Sequence, residues 1–178
     1  MARQVWPMHP TAVAFVEAAE RRYGLTPEVQ EFDEGTKTAA DAADAIGCEV
    51  AQIASSIVMK SEGHRPSGNR TESDETDGAV VVVVTSGANR ADEDRVAAEL
   101  GAESVRMADP DEAKDATGWS IGGVPPICHE TDVPVLFDET LLEHDEVWAA
   151  AGTPQSVWPI DPERLVDLAD ARPIRVTA

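Results

Sequence analysis

Residues 117–129, TGWSIGGVPPICH, hold Gly118, Gly122 and Gly123 followed by Pro125 and Pro126. Proline lacks the amide donor and glycine weakens both helix and strand, so this run is a shaped loop. Without a Cβ, Gly122 and Gly123 let a ligand approach the main chain, while the prolines keep φ near one value. Main-chain amides exposed in such a turn form an anion-binding concavity or donate to an oxyanion. The alternative is a rigid Gly-Pro connector that binds nothing.

On either side of this loop the chain alternates short helices and strands. Upstream, residues 9–23 carry Val13, Phe15, Val16, Ala19 and Tyr23 near helical spacing, and Gly24 stops them. Residues 29–33 form a short strand candidate. Thr38 reads as an N-cap and Gly47 as the C-terminal stop of an alanine-rich helix, with a helical turn at 50–53 and a strand at 55–60. Residues 61–78 are polar and rich in glycine and charge, an inserted loop. Residues 79–85, AVVVVVT, are apolar without alternation, which predicts a central strand covered on both faces. A helix over 92–100 and a strand over 104–107 follow. Asp109 and Pro110 then cap and start the helix that delivers the chain into the loop. Downstream lie a strand at 133–137, a strand pair at 146–150 and 156–160, and a last helix begun by Asp161 and Pro162. The fold class is mixed α/β, in one domain over residues 1–178. There is no Rossmann fingerprint and no P-loop.

Composition narrows the function classes. Hydrophobic residues make up 42% and aromatic ones 4%, so the core is built from Val, Ile, Leu and Ala. The net charge is −20, from 34 acidic against 14 basic residues, eleven of the latter being Arg. Acids spread along the whole chain point to a salt-rich cytoplasm, as in halophiles, where screening shortens the reach of repulsion. No apolar run approaches the ~20 residues of a membrane span and none resembles a signal peptide, so a cytoplasmic protein without membrane contact is expected. Cys48 and Cys128 are too few for a disulfide framework, and Cys128 next to His129 lacks further ligands at metal spacing. Neither metal nor cofactor is expected.

Four segments occur together in a characteristic order: TAADAADAIG (38–47) with QIASSIV (52–58), VVVVVTSGANRAD (80–92), MADPDEAKDATGWSIGGVPP (107–126), and VLFDETLL (135–142) followed by AAAGTP. Jointly they resemble the YbaK/EbsC family of aminoacyl-tRNA editing domains, related to the insertion domain of bacterial prolyl-tRNA synthetases. The T-G-x-x-x-G-G-x-x-P loop is the specific part. The resemblance implies a strongly bent mixed sheet flanked by helices around one small pocket. It also implies hydrolysis of the ester joining a wrong amino acid to tRNA, typically alanine or cysteine on proline tRNA, assisted by the substrate's own hydroxyl or thiol. Gly122 and Gly123 would hold the ester carbonyl or terminal ribose, with Gly118, Ile121, Val124, Pro125, Asp138 and Gly152 around the substrate.

Two departures bear on activity. Where many members carry a lysine after Q-[IV]-x this chain has Ser55, and where some carry a serine before the second glycine turn it has Ala150. Lys60 lies five residues from Ser55, an odd offset that puts it on the other strand face. Ser55 is therefore the candidate to hydrogen-bond substrate. The partners implied are a transiently bound mischarged tRNA and prolyl-tRNA synthetase, not DNA, for a monomer or weak dimer. Scattered arginines, Arg90 and Arg95 among them, favour a brief encounter with a charged tRNA end over tight RNA binding. A non-catalytic module that recognises an aminoacyl group or a synthetase is the competing reading, marked by the missing lysine.

Overall fold

A computed structural model describes residues 9–32, 38–62 and 79–177. Its helices are α1 (Pro10–Tyr23), α2 (Ala39–Ile46), α3 (Glu93–Leu100), α4 (Pro110–Thr117) and α5 (Pro162–Ala169). Its strands are β1 (Gln30–Glu31), β2 (Ile53–Glu62), β3 (Val80–Ser86), β4 (Ser104–Met107), β5 (Val135–Asp138), β6 (Val147–Ala150), β7 (Ser156–Ile160) and β8 (Arg172–Ile174). All eight strands join one mixed sheet in the order β1-β7-β6-β2-β3-β5-β8, with β4 also paired to β2.

Local chemistry sets the helix ends. Thr38 Oγ1 accepts the Asp41 amide at 3.0 Å, and Gly47 takes the left-handed conformation that ends α2. Asp109 and Glu112 form a reciprocal capping box on α4, and Gly118 closes that helix with φ 85°. In α1 the buried positions are Ala12, Phe15 and Ala19, whereas Val13 is exposed. The first helix therefore turns a slightly different face inward from the one its larger residues suggest.

The valine run forms the centre of the sheet, as its lack of alternation predicts. Val82 and Val84 pack on one face with Phe15, Phe137 and Trp158, while Val81 and Val83 pack on the other with Val96 and Leu136. Val81 to Val84 are each at most 2% exposed, and each contributes about 1.5–3 kcal/mol of hydrophobic stabilisation. Three differences from the sequence reading appear. β2 starts two residues earlier and ends two later than the expected 55–60, so Ser61 and Glu62 belong to a strand; residues 63–78 of the expected insertion lie outside the described residues. A 3-10 turn over Glu139–Glu143 follows β5. β8 was not expected: Arg172–Ile174 reads as a polar proline-containing tail, but as an edge strand parallel to β5 it needs few ladder donors.

Among the described residues no helix is long and apolar enough to cross a membrane.

Candidate active site

β2 is shared by strands that do not meet each other. On one edge it pairs with β3 from Ala54 to Lys60. On the other edge β6 pairs with Ile53 and Ala54, and β4 pairs with Met59 to Glu62, which leaves residues 55–58 facing no strand. Ile53 accepts from the Gly87 amide and Ser61 donates to Ala79, so odd-numbered residues bond on the β3 side, whereas Val58 accepts from the Ala108 amide on the opposite side. Alternation along a strand then places the main-chain N–H and C=O of Ser56 at the open edge.

A cavity of about 270 Å³ occupies this opening, walled by β2, the start of α2, β6, β7 and the tip of the glycine-proline loop. Its volume is at the small end for ligand pockets and suits one small aminoacyl group. Ser55, Ile121, Gly122 and Val124 border it, together with Ala150. Ile121 lines the cavity and is 45% exposed, and Trp119 is buried in the core, its Nε1 donating to the Cys128 carbonyl at 2.9 Å. Ser56 also borders the cavity, and its buried Oγ has no hydrogen-bond partner. A buried hydroxyl left unpaired costs about 1–3 kcal/mol, which marks it as a group awaiting one.

The two loop glycines play different parts. Gly122 has φ +96°, and a Cβ there would meet nothing nearer than Pro154 Cγ at 3.4 Å. Among the described residues its amide and that of Val124 make no hydrogen bond. Gly123 departs from the expected role: its amide donates to the Ser120 carbonyl at 3.0 Å, and its carbonyl accepts from Gly152 at 2.9 Å. A Cβ on Gly123 would lie 2.6 Å from Thr153 Cα and N. The close approach that requires glycine is thus made by a second loop of the protein and not by a ligand.

Other expected substrate contacts also lie away from the cavity. Gly118 is the left-handed cap of α4. Pro125 is buried, with its carbonyl 2.8 Å from His129 Nε2. Gly152 holds φ +104° against Thr11 and Trp119. Asp138 is buried at the end of β5, where its carboxylate accepts from the Ser86 amide at 3.0 Å, Asn89 Nδ2 at 3.0 Å and the Thr140 amide at 2.9 Å. It ties β3, the turn after it and the 3-10 turn together. Cys128 stands at φ 69° with burial pushing its thiol up to about 11, and burial lowers the pKa of His129 as well. Neither borders the cavity, so neither is placed as a nucleophile or base. Lys60 is committed elsewhere, paired with Glu112 at 2.6 Å beside Arg106.

Sequence reasoning missed a row of hydroxyls on the far wall. Thr153 Oγ1 and Ser156 Oγ are 2.7 Å apart, and Ser156 reaches the Glu31 carboxylate at 3.3 Å. The T-x-x-S spacing after the second glycine turn was the available signal. On the other face of the sheet, Ser55, Ile57, Ala39 and Met107 also border a larger cavity of about 710 Å³ with Arg90 on its rim.

A family model described as the aminoacyl-tRNA editing domain matches residues 33–168. The chain belongs to this family. An uncharacterized protein of Bacillus subtilis (strain 168), YwhH, is 28% identical over 142 residues, 80% of this chain and 81% of that protein. A crystal structure described as a candidate trans-editing enzyme for prolyl tRNA synthetase superposes with a TM-score of 0.82 at 33% identity, covering 97% of this chain and 99% of that one. The hypothetical protein APE2540 gives 0.74 at 25% identity, over 91% of this chain and 98% of its own. The mixed sheet with flanking helices is the fold of these editing-domain relatives, which accords with the resemblance of the four sequence segments to YbaK/EbsC proteins.

Proposed function

We propose that this editing domain is a free-standing deacylase that hydrolyses the ester of a small amino acid wrongly attached to tRNA, with alanine or cysteine on proline tRNA as the first substrates to test. The observation that carries the reading is the cavity at the open edge of β2, small enough for one aminoacyl group and bordered by the unbonded amides of Gly122 and Val124. These donors stabilise the oxyanion that forms when water adds to the ester carbonyl; one such donor contributes about 3 kcal/mol. Collapse of the tetrahedral intermediate breaks the bond to the ribose oxygen, which leaves with a proton drawn from solvent or from the substrate's own neighbouring hydroxyl. No protein nucleophile is required, in keeping with the remote position of Cys128. Ser55 sits where the two cavities meet, so the nucleotide end of the substrate runs past it toward Arg90. Prolyl-tRNA synthetase is the partner that would deliver such a substrate.

The test is deacylation of alanine- and cysteine-charged proline tRNA at high salt, where an acidic protein is least repelled by RNA. Wild type is expected to hydrolyse at least one, and Ala150→Phe, which fills the cavity, is expected to abolish it. No hydrolysis above buffer for any mischarged tRNA would overturn the reading in favour of a binding-only module.

A further inference from the structure

Register places three polar residues on one face of the sheet. Glu31 of β1 pairs with Ser156 of β7, Trp158 of β7 with Ala149 of β6, and Ala149 with Ala54 of β2. Directly paired residues share a face and alternate residues return to it, so Glu31, Ser156 and Ser56 project from the same side. Ser156 is fully buried and Thr153 nearly so, and both border the small cavity together with Ser56.

The hydrogen-bond directions along this row follow from its carboxylate end. Glu31 Oε2 accepts from the His9 amide at 3.0 Å and from the Ser156 hydroxyl at 3.3 Å, since a carboxylate oxygen has no proton to give. The Ser156 proton being committed, the 2.7 Å contact is made by the Thr153 proton. Thr153 Oγ1 also accepts the Gln155 amide at 3.1 Å. Both hydroxyl protons are then spent within the protein, and what remains toward the cavity is lone pairs backed by a negative charge. Ser56 adds an unpaired hydroxyl on the same face. A wall of acceptors joined to a carboxylate is complementary to a cationic donor and repels a second carboxylate or a carbonyl.

We propose that the Thr153–Ser156–Glu31 row binds the α-ammonium group of the aminoacyl ester, and so restricts this domain to substrates with a free amino terminus. The inference rests on the deacylase reading above. Glu31 lies outside the segment matched by the family model, so this end of the row is contributed by the chain's own N-terminal region. Thr153, the more exposed end of the row, touches the substrate; Ser156 and Glu31 lie behind it and are positioning residues that act through it.

The experiment compares alanyl-tRNA with N-acetylalanyl-tRNA, whose amide nitrogen carries no charge, in wild type, Glu31→Gln and Ser156→Ala. Wild type is expected to favour the free amine at least tenfold in kcat/KM. Each variant is expected to bring that ratio toward one, chiefly by raising KM for the free amine and leaving the acetylated substrate unchanged. Equal losses on both substrates, or an unaltered ratio, would overturn the proposal as a merely structural effect. A second measurement needs no turnover: NMR titration with alaninamide and with N-acetylalaninamide, following the Thr153 and Ser156 amides. Shifts with the free amine alone support the row as an ammonium site even if no ester is hydrolysed, in which case the deacylase reading fails by itself. Equal shifts with both, or none with either, would count against the site.

Discussion

The Gly152 amide donates to the Gly123 carbonyl at 2.9 Å, joining the glycine-proline loop to the turn between β6 and β7. These two loops form one side of the cavity, and the hydrogen bond fixes their spacing. The space a Cβ would need at Gly123 is already filled by the backbone of Thr153 and Gly152.

Gly123→Ala is therefore expected to force the loops apart. Overpacking of this kind costs about 1–3 kcal/mol, and backbone cannot move aside as a side-chain tip can. Gly122→Ala places its Cβ in nearly open space and carries only the strain of φ +96°. Thermal unfolding should show the larger loss for Gly123→Ala, whereas deacylation should fall in both. Equal stability of the Gly123 variant and wild type would refute the spacing role.

Ser56→Ala separates stability from function. Removing a buried hydroxyl that has no partner is expected to leave the protein as stable or more so, by up to about 1–3 kcal/mol. If the hydroxyl meets substrate, KM rises at the same time. A chemical denaturation curve beside a KM measurement checks both, and a clear destabilisation would show that Ser56 is bonded within the fold.

Asp138→Asn should do the reverse. Its carboxylate accepts three hydrogen bonds that clip β5 to the turn after β3. An amide in its place presents donors to at least one of these donors, so a loss of about 2–4 kcal/mol is expected, in the range for charged hydrogen bonds left unmet. KM should stay at its wild-type value, and a selective rise in KM would instead return Asp138 to the substrate.

Much of this fold was legible because helix ends are local chemistry. Thr38, Asp109 and Asp161 cap as their spacing predicts, Asp92 caps the helix it was expected to begin, and the valine run announces a strand covered on both sides. β8 was not legible, since three residues with a proline become a strand only through pairing with β5, which the sequence does not reveal. The cavity was legible by halves. The loop residues bordering it stand out because glycine next to proline is rare outside shaped turns. Glu31, Ser56, Thr153 and Ser156 do not stand out, because they meet only after β1, β7, β6 and β2 have paired in register. Gly123 and Asp138 make hydrogen bonds within the fold, because glycine and aspartate serve the backbone as readily as they serve a ligand.

His129 gives the protein a pH response distinct from that of its carboxylates. The ring is buried, its Nε2 faces the Pro125 carbonyl at 2.8 Å, and Arg22 donates to the His129 carbonyl at 2.9 Å. Burial first, and then the nearby Arg22 charge, hold its pKa below the usual 6.5. In the unfolded chain the ring takes up a proton near pH 6.5, while in the folded protein it does so only at lower pH. Below 6.5 the unfolded state binds more protons, so stability is lost as pH falls through that value and is fully present above it. Glu112 works in a lower window: Arg106 and Lys60 hold its carboxyl well below the ordinary 4.5, so its contribution fades only as pH drops below about that value. Denaturant unfolding at pH 7.5, 6.5 and 5.5 should show wild type weakening across the interval and His129→Gln changing less. Parallel slopes in the two proteins would mean that the proton is taken up elsewhere.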